Sequence, residues 1–160
     1  VSLKYLSESG ARSITYYETT GWRGVMERAA GSPLPEEFNS LPGAVFPLYH
    51  VLADVGEFAG GVILPSRSSE PLEVECMAIS NCGRRRILVG NMTGNPLQVC
   101  VGDLPSQVQV KSLDETEVWN AMANPEDYRR QESMLESASQ GALLLELRPY
   151  SVTRIDATCE

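Results

Sequence analysis

From Val62 to the end of the chain, short runs of alternating apolar and polar residues recur at regular spacing, each closed by a turn signal. A side-chain period of two is what a half-buried strand requires, and several short strands joined by tight turns leave few folds open. Leu72 to Ser80 sets Leu72, Val74, Cys76 and Ala78 on one face and Glu73, Glu75 and Met77 on the other. Asn81-Cys82-Gly83 reads as a turn, Arg85 to Met92 as the next strand, and Thr93-Gly94-Asn95-Pro96 as the next turn. Leu97 to Val101 and Ser106 to Ser112 follow, split by Gly102-Asp103-Leu104-Pro105. Leu113 to Gln140 breaks the rhythm: an acidic run at Asp114 to Glu117 precedes Asn124-Pro125-Glu126-Asp127, which starts a short helix or an excursion loop. Ala142 to Leu147 and Tyr150 to Ala157 are the closing strands. Six or so antiparallel strands predict a mainly β fold, an antiparallel β-sandwich over residues 62–160. Leu72, Val74, Leu88, Val99, Val108, Leu145 and Ile155 are expected inside it.

Residues 1–61 have a different grammar, helix-rich with a single strand. Leu3 to Glu8 reads as a helix closed by Ser9-Gly10. Ser13 to Tyr17 is β-branched and aromatic, hence a short buried strand, and it ends on the carboxylate Glu18. Trp22 to Ala30 offers a polar helical stretch, and a long irregular loop follows through Gly31-Ser32-Pro33-Leu34-Pro35 and Pro42-Gly43. Val45 to Ala59 is the strongest helical pattern, with Val45, Leu48, Leu52, Val55 and Ala59 on one stripe, Pro47 in the first turn and Gly60-Gly61 as the stop. Helix, strand, acid at the strand tip, then helix is the order of a parallel α/β unit, in which chemistry sits at the carboxyl ends of strands. The chain opens on Val1 in mid-pattern, as expected of a piece cut from something longer.

Charge excludes one class of partner. With 13 Lys+Arg against 21 Asp+Glu the net charge is −8, which argues against nucleic acid. Arg84-Arg85-Arg86 points alternate side chains to opposite faces of a strand and reads as a solvated strand start. No apolar run is long enough to span a membrane. Cys76, Cys82, Cys100 and Cys159 lack metal-site spacing, and the one histidine, His50, does not complete a cluster with them, so no metal and no cofactor is expected. Cys76 and Cys100 lie in apolar runs and read as small core residues, although four cysteines also allow two disulfides. Reduced thiols in a cytoplasm are the default without a signal peptide. His50 and Asp54, four apart on one helix, suggest half of a catalytic triad with Ser13 or Ser40 as nucleophile; with no nucleophile elbow in the chain, the pair is read as structural.

A barrel's last strand and helix running straight into a β-sandwich is similar to the C-terminal end of retaining glycoside hydrolases with (β/α)-barrel catalytic domains. The closing strands L-L-L-E-L-R-P-Y-S-V-T-R-I-D resemble the strand pair that ends many of those sandwiches. S-I-T-Y-Y-E-T-T-G-W-R-G-V-M-E, with V-F-P-L-Y-H-V-L-A-D-V downstream, resembles the D-apionate lactonase family, sugar-acid lactone hydrolases on a glycoside-hydrolase-like barrel. The resemblance implies a barrel end at residues 1–61, a sandwich at 62–160, and a small sugar or sugar-acid substrate. A full barrel needs about 250 residues, so the apolar faces here are expected to be covered by the sandwich, by the remainder of a parent barrel or by a second copy. Glu18 is the catalytic or hydroxyl-binding carboxylate in this reading, and Trp22 and Arg23 bind substrate. A glycoside hydrolase, which needs a second carboxylate, and a non-catalytic sandwich that braces a barrel are the alternatives.

Overall fold

A computed structural model describes residues 1–15 and 18–158. The chain forms two compact units, each assembled from separated segments: Val1–Arg12, Phe58–Glu115 and Glu132–Glu160 in the first, Ser13–Glu57 and Thr116–Gln131 in the second.

The first unit is the sandwich. It contains the helix α1 (Ser2–Glu8) and the strands β1 (Val62–Leu64), β2 (Val74–Asn81), β3 (Arg84–Asn91), β4 (Leu97–Val101) and β5 (Gln107–Leu113). Past residues 116–131, which belong to the second unit, it resumes with β6 (Met134–Ser137), β7 (Leu143–Leu147) and β8 (Val152–Thr158). Six strands make one sheet in the order β1-β2-β3-β8-β5-β6, β4 and β7 make the other, and every pairing is antiparallel. The register Ala78↔Ile87↔Ile155↔Val110 runs across the large sheet, and these side chains with Val89, Leu143 and Leu147 form the inner core. Ile155 is 0% exposed at its centre.

The alternation behind the strand assignments holds for most of this unit, with four corrections. Leu72 is 91% exposed rather than interior, because residues 70–73 are a turn, in which the amides of Glu73 and Val74 donate to the carbonyl of Glu70. Leu88 is buried, but on the opposite face of the sheet, level with Met77 and Arg154. Cys100 faces solvent and Cys76 is half-buried; both, with Cys82, carry free thiols, and Cys159 lies outside the described residues. Arg86 is not a solvated strand start. It is buried against Asp156, with Nε at 2.6 Å and Nη2 at 3.1 Å from the two carboxylate oxygens, and Arg84 and Arg86 both lie over the buried ring of Phe58.

The helix α1 belongs to this unit through charge. Lys4 is buried with its Nζ 3.3 Å from Glu8 and 3.4 Å from Glu75, a buried residue of β2. The Tyr5 hydroxyl and the Cys76 amide donate to the two oxygens of Glu75. Burial opposes both charges, but their partners outweigh it: Lys4 is held above its ordinary 10.5 by Glu8 and Glu75, and Glu75 below 4.5 by Tyr5, the Cys76 amide and Lys4.

The second unit holds α2 (Pro47–Gly56), α3 (Val118–Ala123) and α4 (Pro125–Arg130). α2 is shorter than its sequence pattern, since Phe46 is the N-cap, Pro47 takes the first position, and Val45 instead bridges Met26 and bonds the Met122 carbonyl. Its buried side chains are His50 and Asp54, whereas Leu48 is exposed and Val51, Leu52 and Val55 half-buried. Within this unit the polar face of α2 is the packed one. His50 Nε2 lies 2.9 Å from the Ala121 carbonyl and its ring stands edge-on to Tyr128, while Asp54 takes Arg129 Nη2 at 3.1 Å. Trp22 to Ala30 is not helical, and Ser13, Ile14 and Thr15 carry no strand pairing; Tyr16 and Tyr17 lie outside the described residues. A short parallel strand draws its hydrogen bonds from flanking strands, and among the described residues none pairs with residues 13–15.

Two outcomes are expected on unfolding. Ile155→Ala costs about 2–5 kcal/mol and Leu72→Ala stays within about 0.5 kcal/mol, read from urea midpoints at constant slope. The Lys4–Glu75 cluster gives a pH window. The lowered carboxyl contributes stability above its unfolded value that is lost as pH falls through the folded one; the raised ammonium contributes stability below its unfolded value that is lost as pH rises through the folded one. Glu75→Gln therefore lowers Tm at neutral pH and flattens the acid limb of the Tm profile, and an unchanged acid limb would refute the assignment.

Candidate functional site

The stretch that carries the expected site residues folds as a tight double turn in the second unit. The amides of Val25 and Met26 both reach the Thr19 carbonyl, at 3.0 and 3.3 Å, and the Gly24 amide reaches the Gly21 carbonyl at 2.7 Å. Gly24 allows this: a Cβ there would sit 2.6 Å from the Thr19 carbonyl carbon and oxygen, inside backbone that does not yield. The turn is tied down by the Phe46 amide on the Val25 carbonyl and the Glu27 amide on the Ala44 carbonyl.

Trp22 and Arg23 are brought together at the outside of this turn. The Arg23 guanidinium lies 4.5 Å from the centre of the Trp22 ring, a cation–π arrangement. Trp22 remains 41% exposed, and its ring is the outermost of a row continued by Phe38 at 6.1 Å and by Phe46 at 5.8 Å from Phe38. A planar apolar surface with fixed donors laid on it is thus presented from a packed base. Glu18 is exposed at the start of the turn, on irregular backbone, and the two residues before it lie outside the described ones.

A second carboxylate, unremarked in the sequence as a site, lies just behind. Glu27 is buried, and its two oxygens accept from the Ser40 hydroxyl at 2.5 Å and from the Arg28 amide at 2.8 Å. The Ser40 hydrogen bond, then that of the Arg28 amide, holds its carboxyl below the ordinary 4.5. The Arg28 carbonyl in turn accepts from the amides of Gly31 and Gly43, each at 2.9 Å. Glu27 and Arg28 therefore close the neck of the long loop over residues 28–43. An ionised carboxylate with both oxygens engaged is a poor proton acceptor and a good brace. No local pattern marks it, since Ser40 is thirteen residues away across an irregular segment.

Ser40, considered as a nucleophile beside His50 and Asp54, is committed to Glu27. Asp54 is committed to Arg129, which it shares with Glu57. Among the described residues no group of three or more His, Cys, Asp or Glu side chains is placed to hold a metal ion. Among them, too, no helix is long and apolar enough to cross a membrane.

Two consecutive family models match the chain. One is described as D-apionate lactonase, TIM barrel domain, over residues 1–60; the other as D-apionate lactonase, C-terminal immunoglobulin-like domain, over residues 71–155. No curated protein matches. Among solved structures the chain is similar to a GH30 endoxylanase from Clostridium papyrosolvens C71, with a TM-score of 0.56 and 14% identity. The match covers 72% of this chain and 28% of the xylanase chain, and at that identity it speaks for the fold.

The neck yields a prediction. Because the carboxyl of Glu27 is lowered, its bracing is present above the unfolded value and is lost as pH falls through the folded one. Ser40→Ala removes the first cause of that lowering, so the loop over residues 28–43 opens at a higher pH than in the parent. Limited proteolysis of this loop along a descending pH series measures the shift, and coincident profiles would contradict it.

Proposed function

The chain belongs to the D-apionate lactonase family, and on that footing we propose that it forms the closing part of a sugar-acid lactone hydrolase, with the turn of Glu18, Trp22 and Arg23 facing the substrate. Residues 1–61 are in this reading the end of the barrel and residues 62–160 its sandwich, at work in a reducing cytoplasm. The observation that carries the proposal is the consecutive match of a barrel model and a sandwich model of one family, in that order.

Lactone hydrolysis adds water to the ring carbonyl. A base takes the proton from the water, the tetrahedral oxyanion needs donors, and the ring C–O bond breaks as its oxygen takes up a proton, leaving a hydroxy acid. Trp22 offers its ring to the C–H face of a sugar. Arg23, fixed on that ring, offers donors to the carbonyl oxygen or to the product carboxylate. Glu18 is exposed and able to accept from water or sugar hydroxyls. Glu27 does not take the second carboxylate's role that a glycoside hydrolase requires, because both its oxygens are occupied. For a glycosidase the partner acid must come from other elements of a barrel, and that reading rests on fold similarity alone.

The test uses the intact parent protein and assays aldonolactone and aryl-glycoside hydrolysis beside Glu18→Gln, Arg23→Met and Trp22→Ala. Loss of a transition-state contact lowers lactone turnover by roughly a hundredfold or more with folding intact, and Trp22→Ala acts mainly on KM. Parental rates in all three variants would make the turn structural; glycoside hydrolysis without lactone hydrolysis would favour the alternative.

A further inference from the structure

Arg84, Arg85 and Arg86 open β3, and the period of two sends alternate side chains to different faces of the sheet. The register that brings Ile87, Ile155 and Val110 into the core sets Arg86, Asp156, Gln109 and Leu135 in one row on the other face, with Arg84 paired to Thr158 at its end. Along this row runs a groove of about 470 Å³, lined wholly by residues of the first unit. Arg85 also borders it, but its guanidinium is taken by Asp103 at 2.7 Å.

Arginine dominates the charge of the groove. Arg84, Arg86 and Arg154 line it against one lining carboxylate, that of Asp156, whose oxygens are spent on Arg86 and on Arg154 Nε at 3.0 Å. Arg84 is exposed and, among the described residues, has no carboxylate partner. Its guanidinium lies 4.9 Å from the centre of the buried Phe58 ring, with that of Arg86 at 4.8 Å. A fork held over a ring is in place before an anion arrives, so less freedom is lost on binding. Beyond Asp156 the groove changes character. Gln107 and Gln109 are exposed, alternate along β5 and so share a face, and each side-chain amide offers both donors and an acceptor. Leu135, opposite Gln109 on β6, adds a 65% exposed apolar surface.

A fixed cationic fork at one end, with two amides and an apolar surface at the other, complements a small molecule that carries a carboxylate on a chain or ring of hydroxyls. We propose that this groove binds a sugar carboxylate, with the acid group on Arg84, hydroxyls on Gln107 and Gln109, and the C–H face against Leu135. A carboxylate is favoured over a phosphate because one fork without a partner matches a planar, singly charged group, whereas a doubly charged phosphate also meets Asp156. The groove shares no residue with the turn of Glu18, Trp22 and Arg23, and its ligand does not depend on the reaction assigned to that turn.

Residue-resolved NMR titration of the 160-residue chain with gluconate, digalacturonate, methyl glucoside and inorganic phosphate tests this. Gluconate and digalacturonate are expected to shift the amides of residues 84–86, 107–109 and 156–158 saturably, and methyl glucoside to leave them in place. Arg84→Gln loses about tenfold or more in affinity, the worth of one charge-assisted pair, and Gln109→Ala weakens gluconate more than it weakens phosphate. Digalacturonate held about tenfold or more tighter than gluconate assigns the site to uronates of a polysaccharide; gluconate held as tightly assigns it to free sugar acids. Phosphate binding as tightly as gluconate, or Gln109→Ala without effect on gluconate, overturns the proposal in favour of an unspecific anion site. So do shifts confined to residues 19–23, which would leave the turn as the sugar-acid site, and so does the absence of any shift. Should Arg84→Gln fail to fold, the ranking of the four ligands still decides.

Discussion

The large sheet depends on its last strand. β8 lies between β3 and β5, so without it the meander β1-β2-β3 and the pair β5-β6 do not touch. Both faces of β8 are committed. Inward, Ile155 stands between Ile87 and Val110, and the Thr153 and Ser112 hydroxyls lie 2.8 Å apart. Outward, Asp156 holds Arg86 in a two-point pair and takes Arg154 Nε at 3.0 Å. Apart from the Arg154–Asp156 pair, these contacts join residues far apart in sequence, so their loop entropy is lost before they stabilise anything. The β2-β3 hairpin is local in sequence, whereas the large sheet is joined only with β8 in place.

The second unit solves a different problem, that of presenting exposed groups from irregular backbone. Loops hold functional side chains well only when a scaffold over-determines them. Here the scaffold is polar. Glu27 and Arg28 gather four separate strokes of the chain at one neck, and the row from Phe46 through Phe38 supports Trp22 from below. The division of labour between two glutamates follows from their surroundings: the buried one is held ionised and occupied, the exposed one stays available.

Much of the sandwich was legible because the period-two pattern is a local property. The span Leu97–Val101 matches its reading, and β7 and β8 begin only one or two residues late. β6 escaped because Met134–Ser137 carries no inward apolar row; it is an edge strand with Met134 and Leu135 exposed. Leu72 misled because alternation runs on into a turn. In α2 the apolar stripe says nothing of what packs against the helix in its own unit, which is a carbonyl, a tyrosine ring and an arginine on the opposite face. At the site, the stacking of Arg23 on Trp22 joins neighbours in sequence, whereas the Glu27–Ser40 pair depends on a loop path that no propensity encodes.

The buried charges beneath α1 bear on where this protein can be divided. The barrel-type model ends at residue 60 and the sandwich model begins at residue 71, which invites excision of the sandwich at that border. Such a cut discards Lys4 and Tyr5 but keeps Glu75, whose carboxylate would stay in the β2 face with only the Cys76 amide of these three partners. Removing α1 takes from Glu75 its cation and its hydroxyl donor and uncovers the part of β2 on which they lie. The smallest portable sandwich therefore includes α1, and the boundary drawn by sequence similarity is not a seam of the folded molecule.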